Sequence, residues 1–583
     1  MRDNEQLCGL DNRVYEGRTW VPGVAEGELL WTDTGLSFWG GVDPQSGVVL
    51  DAHHPLEGKC LRDVVLALPG SRGSCTGSMV ILELLLNGKA PRALVLAGRD
   101  DILMLGVLVA KAMFGRSIPV VSVSQEVFAD LSSCRRVVIG SNSDVLSETC
   151  EDTASIFASN LHLSDVALTE RDQRLLCGDE GTAIRIAMEI IVEMAKAGGA
   201  RSLIDVQQAH IDGCIYTGPA TLKFAQQLVE WGARVKVPTT LNSISVDRCG
   251  WRSMGVPAEM GAPSESLAQA YIDMGVQATY TCAPYFLQSA PKFGEQIAWA
   301  ESNAVIYANS VLGARTAKYP DFLDIFIALT GRTAAADVHL TENRAARLLI
   351  DVTAPPVIDD SFWPLLGYYV GLCAGRDIPV IDGVGGLEPT AADLRAFGAA
   401  FATTSSAPMF HIAGVTPEAS SVAAAMDGNE PSFVRKVSVT DLYQVWRGFN
   451  RTSARKIDFV ALGNPHFSKE EIVRLARECD GRVKADDVGI MVTTNRGTLA
   501  SSDIESAVTS LRSFGVQFVV DTCWCVIREP VIPSTARVII TNSGKYAHYG
   551  PGLVERNIRF GSLSQCVDAA CTGSLNDKPP TWM

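Results

Sequence analysis

Apolar and polar positions alternate in short blocks over the first part of the chain. Apolar runs such as "DVVLALPG" end in turns, and they are followed by a helix-like stretch, "SMVILELLLNG", and by the strand-like "ALVLAG". This mixture predicts a small β/α domain over residues 1–135. The more polar residues 136–155 are predicted to link it to a second region.

Strand-like and helix-like stretches then alternate over residues 156–583. "GPATLKFAQQLVEWGARVKVPTT" predicts a helix followed by a strand, and "DFVALGNPHFSKEEIVRLARECDGRV" predicts a strand followed by a helix. This alternation is typical of parallel sheets with helical crossovers. We therefore predict an α/β protein whose large second region consists of several βα subdomains.

Composition and charge exclude several classes of protein. The 583 residues are 47% hydrophobic and carry a formal net charge of -15, without a Lys/Arg run, so no nucleic-acid partner is expected. Apolar runs are too short to span a bilayer and no signal-peptide core is seen, which predicts a soluble, cytoplasmic protein without a membrane partner. The 15 cysteines are then expected to be reduced thiols or metal ligands.

Polar side chains recur where predicted strands end, which is where parallel sheets bind ligands. His210 and Asp212 lie in "AHIDGC", Cys282 lies in "TCAPY", and Cys523 and Cys525 lie in "DTCWC". Cysteines on such loops are candidate iron–sulfur ligands. The alternatives are a structural histidine and buried apolar thiols.

The loop "PGSRGSCTGS" carries Ser71, Arg72 and Ser74 between a predicted strand and a predicted helix. Glycines and helix-start amides favour an anion, and a serine there could act as a base if nearby dipoles stabilise its oxyanion. The alternative is a Gly/Ser turn that caps the helix.

Two further stretches place polar groups in apolar surroundings. Glu301, Asn303 and Arg315 interrupt the apolar "AWAESNAVIYANSVLGART", where their partners are either a ligand or neighbouring helices. Lys545 in "TNSGKYAHYGPG" is a candidate for binding a carboxylate or phosphate, or belongs to a polar surface turn.

These stretches together resemble the aconitase X family in its single-chain form. "GVDPQSGVVLD", "HPLEGK" and "GSRGSCTGS" resemble its small swivelling domain, and "VPTTLN", "TCAPY", "GNPH", "DTC" and "TNSGKYAHY" resemble its large domain. The resemblance covers about residues 14–572. It implies an aconitase-like large region preceded by a swivelling β/α domain.

The resemblance also implies a hydro-lyase that uses an iron–sulfur cluster, with [2Fe-2S] favoured for the single-chain form. The implied substrate is cis-3-hydroxy-L-proline and the product is Δ1-pyrroline-2-carboxylate. Ser74 matches the family's proton acceptor. Cys282, Cys523 and Cys566 match recurrent cysteines and are the implied cluster ligands, with Cys525 as the alternative third ligand.

A small zwitterionic substrate requires charges of both signs. Lys545 or Arg315 is expected to bind its carboxylate, and Asp212 or Glu301 its ring ammonium. Ser71, Arg72, His210 and Asn303 complete the predicted substrate-binding residues.

Two other functions stay open at this point. One is a dehydratase of another hydroxy acid, such as mevalonate 5-phosphate, although only Arg72 supplies a cation beside the Ser74 loop. The other is a non-catalytic iron–sulfur sensor that binds RNA, which the net charge disfavours. The protein is expected to be a monomer or a small homo-oligomer.

Overall fold

The computed structural model describes residues 13–51, 54–72, 75–140, 153–159, 165–575 and 578–583. The chain divides into two compact units, Met1–Asp165 and Val166–Met583. Both units combine strands with helices. Among the described residues, no helix is both long enough and apolar enough to cross a bilayer.

The first unit is built on a closed barrel. Its strands β3, β4 and β5 run parallel and are buried along their whole length, which explains their continuous apolar sequences. Around the barrel the order is β1-β5-β4-β3-β2-β6-β7. The strands are β1 (Arg13–Val21), β2 (Ala25–Trp31), β3 (Val65–Leu68), β4 (Ala93–Leu96), β5 (Val120–Ser122), β6 (Arg136–Gly140) and β7 (Thr153–Ser159).

A helix follows each of the three parallel strands β3, β4 and β5 of the barrel. These helices are α1 (Gly77–Leu86), α2 (Asp101–Phe114) and α3 (Gln125–Asp130). The Asp100 side chain caps α2 by accepting a hydrogen bond from the Leu103 N–H at 3.0 Å. This unit therefore has the mixed β/α character that the sequence predicts.

Strands β6 and β7 cover residues that the sequence analysis assigns to a linker. β6 pairs with β2 and β7, and β7 pairs with β1, so these two strands close the barrel. Their alternating residues Val137, Ile139, Ala154 and Ile156 lie in the barrel core. The first unit thus continues beyond residue 135, because short strands with alternating apolar residues give a weak signal beside polar segments.

The second unit contains parallel sheets. A three-stranded sheet has the order β10-β9-β11, a four-stranded sheet the order β15-β14-β13-β16, and a five-stranded sheet the order β19-β18-β17-β20-β21. A short antiparallel pair joins β8 and β12. The strands are β8 (Leu203–Asp205), β9 (Ala209–Ile211), β10 (Thr239–Leu241), β11 (Ala298–Trp299), β12 (Arg332–Ala334), β13 (Leu348–Val352), β14 (Pro379–Asp382), β15 (His411–Ile412), β16 (Phe433–Val437), β17 (Phe459–Phe467), β18 (Gly489–Thr494), β19 (Val516–Val520), β20 (Val538–Thr541) and β21 (Asn557–Phe560).

Helices link these strands, as crossovers between parallel strands require. Capping boxes begin α4, α11, α14 and α18, where a Ser or Thr and the residue three positions later satisfy each other's backbone N–H groups. The helices are α4 (Glu170–Cys177), α5 (Thr182–Ala197), α6 (Pro219–Glu230), α7 (Ala258–Asp273), α8 (Ser302–Tyr307), α9 (Leu323–Thr330), α10 (Phe362–Ala374), α11 (Ala391–Thr404), α12 (Val422–Ala425), α13 (Val439–Phe449), α14 (Lys469–Cys479), α15 (Arg496–Leu499), α16 (Glu505–Phe514), α17 (Gly544–Val554) and α18 (Leu563–Thr572).

The three-stranded and five-stranded sheets meet at their carboxyl ends. The loop after β10 forms a parallel bridge, Ile244 to Thr522, with the loop after β19, and the Ile244 N–H donates to the Asp521 carbonyl at 2.7 Å. Arg496 reinforces the junction through ion pairs to Asp521 at 2.5 Å and to Asp247 at 3.3 Å. Polar loops of two sheets are thereby brought to one place.

A buried ion pair ties α4 to β12. Arg332 donates to both carboxylate oxygens of Asp172 at 2.8 and 3.0 Å, and these side chains are 7% and 0% exposed. We expect Arg332→Ala to lower the free energy of unfolding by about 3–5 kcal/mol, because it leaves Asp172 buried and unpaired. Denaturant unfolding followed by circular dichroism measures this change.

Arg185→Ala is the matched control for that substitution. Arg185 pairs with Glu189 on α5, but both side chains are about two-fifths exposed. Its removal should change the free energy of unfolding by about 0.5 kcal/mol or less. Equal effects of the two substitutions would contradict the account.

Candidate active site

Three cysteines lie together at the junction of the two sheets. Cys282 follows Thr281, whose N–H donates to the Leu241 carbonyl at the end of β10. Cys523 and Cys525 follow β19, and the thiol of Cys523 interacts with both Cys282 and Cys525. The contact with Cys282 is the main reason why the pKa of Cys523 is raised to about 12. The segment between α7 and β11 and the loop after β19 therefore bring three thiols into one group.

Trp524 fixes the loop that carries two of these cysteines. Its side chain is fully buried, and its indole N–H donates to the Leu462 carbonyl of β17 at 2.7 Å. A fully buried indole immobilises the backbone on either side of it. Cys523 and Cys525, which flank Trp524, are thereby held against the end of the central strand.

The end of β17 donates hydrogen bonds to all three sulfur atoms. The His466 N–H donates to Cys282 Sγ at 3.3 Å. The Asn464 side-chain amide donates to Cys525 Sγ at 3.5 Å and to Cys523 Sγ at 3.8 Å. Sulfur accepts hydrogen bonds at such lengths, and N–H donors stabilise sulfur that carries negative charge.

His466 is itself held in place from two sides. Its Nε2 donates to the Thr522 carbonyl at 2.7 Å, and its own carbonyl accepts from Arg395 at 2.6 Å. Arg395 also pairs with Glu471. Burial lowers the pKa of His466 to about 4, so the imidazole is neutral at pH 7. Sequence reasoning did not identify Asn464, His466 or Arg395 as site residues. Asn464 and His466 nevertheless lie in "GNPH", a motif that resembles the family.

A buried ion pair lies beside the thiols. Lys545, near the start of α17, is 2.9 Å from Glu301 Oε1, and these side chains are 12% and 6% exposed. Burial alone would lower the pKa of Lys545, but Glu301 and then the neighbouring Cys525 and Cys523 outweigh burial and raise it. Lys545 therefore stays charged, and it lies between the Glu301 carboxylate and the thiols of Cys523 and Cys525.

Glu301 caps α8 as well as pairing with Lys545. Its Oε2 accepts from the Ala304 N–H at 2.8 Å and from the Asn303 amide. Asn303 also donates to the Cys282 carbonyl at 2.9 Å and accepts from the Tyr285 hydroxyl at 2.7 Å. Each of these groups is buried and satisfied, so the start of α8 forms a rigid wall next to Cys282.

Asp212 adds a second carboxylate to this group. Its side chain accepts from the Asn242 amide, and its backbone N–H donates to Asp324 at 2.7 Å. Burial, and then the negative charge of Glu301, raise the pKa of Asp212 above its ordinary value. Burial also raises the pKa of Asp324 to about 6. The carboxylates of Asp212 and Glu301 and the ammonium of Lys545 thus share one largely buried site.

The donor set fits an iron–sulfur cluster. Cysteine thiolates are its usual ligands, and N–H donors face all three sulfur atoms here. In the part of the chain that the structure describes, no three His, Cys, Asp or Glu side chains are placed to hold a single metal ion. These findings agree, because the irons of a cluster bind different thiolates, which must be neighbours without converging on one point.

Cys566 lies in a different place from these thiols. It is fully buried on α18 and belongs to the apolar core between that helix and β17, with Val460, Leu462 and Val567 among its members. Burial raises its pKa well above the ordinary value. The structure therefore brings Cys525, and not Cys566, to the other two cysteines.

Two other predicted residues differ in their distance from the thiols: His210 contacts the Thr281 backbone next to Cys282, whereas Arg315 lies elsewhere in the second unit. His210 lies within β9, where its Nδ1 is 2.8 Å from Thr240 Oγ1 and burial lowers its pKa to about 3. Arg315 donates to the His339 carbonyl at 3.1 Å. The first contact fits a structural histidine, and the second places Arg315 in a separate polar network.

The predicted residues of the first unit lie on the loop between β3 and α1. Arg72 forms an ion pair with Asp51 at 2.8 Å and is half exposed. The Ser71 N–H donates to the Asp100 carboxylate. Ser74 lies outside the described residues.

Domain descriptions of the aconitase X family match successive parts of the chain. They are the swivel domain at residues 14–147, the first domain at 165–342, the second domain at 346–447 and the third domain at 457–572. The crystal structure of Thermococcus kodakaraensis aconitase X, in its holo-form, superposes with a TM-score of 0.63 at 31% identity, over 70% of this chain and 100% of that chain. The predicted fold class is confirmed.

Curated relatives match the chain over most of its length. A protein named cis-3-hydroxy-L-proline dehydratase from Hypocrea jecorina is 53% identical over 98% of each chain, and one of the same name from Pseudomonas aeruginosa is 49% identical over 97% of this chain and 98% of its own. The phosphomevalonate dehydratase large subunit of Methanothermobacter thermautotrophicus is 34% identical over 67% of this chain and 94% of its own.

The Lys545–Glu301 ion pair allows the site to be tested by an experiment that does not depend on any cofactor. We expect Lys545→Met to lower the free energy of unfolding by about 3–5 kcal/mol, because it leaves Glu301 buried without its cation. Adding Glu301→Gln removes the unpaired charge and should recover part of that loss. Denaturant unfolding of the wild type, both single variants and the double variant measures the coupling. Purely additive effects would contradict the assignment of a buried pair.

Proposed function

Since the chain belongs to the aconitase X family of hydro-lyases, we propose that it dehydrates cis-3-hydroxy-L-proline to Δ1-pyrroline-2-carboxylate. The substrate loses the Cα proton and the 3-hydroxyl group as one water molecule, and the resulting enamine tautomerises to the product. The two relatives that bear this activity in their names support the substrate, because they align over nearly the whole chain. The enzyme class predicted from the sequence is confirmed by the same relatives.

One observation carries the choice of substrate: an ammonium and two carboxylates are buried beside the thiols. Lys545 uses one N–H for Glu301, and its remaining donors suit the substrate carboxylate. Asp212, whose pKa is raised in the free protein, suits the ring ammonium because an arriving cation favours its ionised form. A small zwitterion therefore meets a partner for each of its charges.

A phosphorylated substrate fits this group of residues less well. A phosphate ester brings a dianion, which favours several cationic donors. Of the buried cations described at the site, Arg395 is held by the His466 carbonyl and Glu471 and has only its Nε without a partner, so Lys545 is the main candidate for binding a phosphate. The charges therefore favour the amino acid over mevalonate 5-phosphate.

Cys282, Cys523 and Cys525 are the residues that we propose hold an iron–sulfur cluster. The sequence favours Cys566 as the third ligand, but the neighbourhood of Cys525 to Cys523 supports Cys525 instead. When bound, such a cluster supplies a Lewis acid that assists the departure of hydroxide, which is a poor leaving group. The protein's own residues bind the two charged groups of the substrate and exclude water around them.

Ser74 is the proposed acceptor of the Cα proton. This role rests on the resemblance of "GSRGSCTGS" to the corresponding family segment. A serine takes a proton from carbon only if its oxyanion is strongly stabilised, and the glycine-rich sequence around Ser74 is of a kind that can supply backbone N–H groups for that purpose.

The proposed reaction is tested by assaying anaerobically purified protein. We expect cis-3-hydroxy-L-proline to yield Δ1-pyrroline-2-carboxylate and mevalonate 5-phosphate to remain unchanged. Ser74→Ala is the control, and it should abolish turnover while the visible absorption of the cluster stays as in the wild type. Turnover of the phosphate ester alone would overturn the substrate, and loss of absorption in Ser74→Ala would make that residue structural.

The proposed ligands are tested by single Cys→Ala substitutions. We expect Cys282→Ala, Cys523→Ala and Cys525→Ala each to lose most of the bound iron, because each removes one thiolate. Cys566→Ala is the matched control, since it removes a buried thiol from the separate apolar core. Iron analysis after gel filtration measures the outcome, and iron loss in Cys566→Ala with retention in Cys525→Ala would reverse the assignment.

A further inference from the structure

The side-chain amide of Asn464 lies between two of the thiols and has one unused end. Its Nδ2 donates to Cys525 Sγ at 3.5 Å and to Cys523 Sγ at 3.8 Å. Its Oδ1 is buried and has no hydrogen-bond partner among the described residues. The residue is 7% exposed, so bulk water does not serve this acceptor freely. Buried acceptors without partners are rare, and each one calls for an explanation.

The chemistry of the neighbours fixes which end of the amide faces the thiols. Thiolate sulfur is an acceptor, so the NH₂ end is the one that stabilises it, and the oxygen would repel it. The orientation with Nδ2 toward the sulfur atoms is therefore the one that suits ligation. This leaves the carbonyl oxygen available to a proton donor that is not part of the chain.

The backbone restrains Asn464 as well. It lies near the carboxyl end of β17, where Gly463 has a φ of +93° and a Cβ at that position would meet the Thr493 carbonyl oxygen at 2.2 Å. The Gly463 carbonyl accepts from the Thr493 hydroxyl at 2.6 Å. A glycine is required there, so the turn that presents Asn464 to the thiols is set by the neighbouring strand.

We propose that Asn464 is a positioning residue that joins the thiol group to the substrate: its NH₂ holds the sulfur atoms of Cys523 and Cys525, and its Oδ1 accepts a hydrogen bond from the substrate's 3-hydroxyl. This inference rests on the proposed function. The 3-hydroxyl is the donor that must lie beside the thiols, because it is the group that leaves. A hydrogen bond to Oδ1 orients this hydroxyl and leaves its oxygen lone pairs free.

Two variants separate the two contacts. Asn464→Ala removes the donor and the acceptor. Asn464→Asp keeps the shape and an acceptor oxygen, but places an anionic oxygen in place of the NH₂. Both should shift the midpoint potential of the cluster to more negative values, because N–H donors to sulfur favour the reduced form. The potential is read from a redox titration of the visible absorption and does not depend on turnover.

The contact with the hydroxyl is read from two ligands that differ in that group. We expect Asn464→Ala to raise the KM for cis-3-hydroxy-L-proline roughly tenfold, the effect of one lost hydrogen bond. The Kd for L-proline, which lacks the hydroxyl, should change less than twofold in this variant. Asn464→Asp, which retains an acceptor, should show the smaller rise in KM.

Asn450→Ala is the control for loss of a partly buried, hydrogen-bonded asparagine. Asn450 Oδ1 accepts from Arg559 at 2.8 Å and from the Phe560 N–H at 3.1 Å, at β21 of the same sheet. Its loss should lower thermal stability but change neither the midpoint potential nor the KM.

Failure of this inference is distinguishable from failure of the proposed function. A wild-type protein that holds no iron or does not turn over the substrate would overturn both. A wild type with iron and turnover, whose Asn464→Ala variant keeps its midpoint potential and its KM, would overturn this inference alone. An equal rise in the L-proline Kd would show a general distortion of the site and would also overturn it.

Discussion

The site depends on the junction at which two parallel sheets meet at their carboxyl ends. The hydrogen bond from the Ile244 N–H to the Asp521 carbonyl joins the loop after β10 to the loop after β19. Cys282 lies on the segment between α7 and β11, beside the end of β10, and Cys523 lies on the loop after β19, so the junction brings the two cysteines together. Polar loops at strand ends are otherwise solvated. Contact between the two loops therefore buries charged groups while the strands of both sheets stay unchanged.

Burial then determines the chemistry of the groups at this junction. Lys545 and Glu301 compensate each other, and burial, followed by the negative charge of Glu301, raises the pKa of Asp212. Such mutual dependence is typical of functional sites, where charges are retained although apolar side chains would be more stable. Free thiols, one ammonium and two carboxylates in one buried site suit a ligand that carries both signs of charge.

Much of the fold and part of the site could be predicted from the sequence. Strand–helix alternation predicted the parallel sheets, and polar loops after predicted strands made Cys282, Cys523 and Cys525 candidate ligands, although Cys282 follows α7 and not a strand. The third cysteine could not be chosen from spacing, yet α18 held a signal: Leu563, Cys566, Val567 and Ala570 recur with helical spacing, which places Cys566 in the core.

The polar residues between Glu301 and Arg315 also have two different roles, which the sequence left open. Glu301 and Asn303 line the site, whereas Asn309 donates to the carbonyls of Thr316 and Pro408, which lie in neighbouring loops. Tertiary contacts, which the sequence does not show, determine which of these side chains belong to the site.

The central claim is that Cys282, Cys523 and Cys525 hold iron at this junction. Anomalous diffraction at the iron absorption edge, from crystals of anaerobically prepared protein, tests it most directly. The account predicts anomalous density bonded to the sulfur atoms of these three cysteines and none at Cys566. Density bonded to Cys566, or iron bound without Cys525, would contradict it.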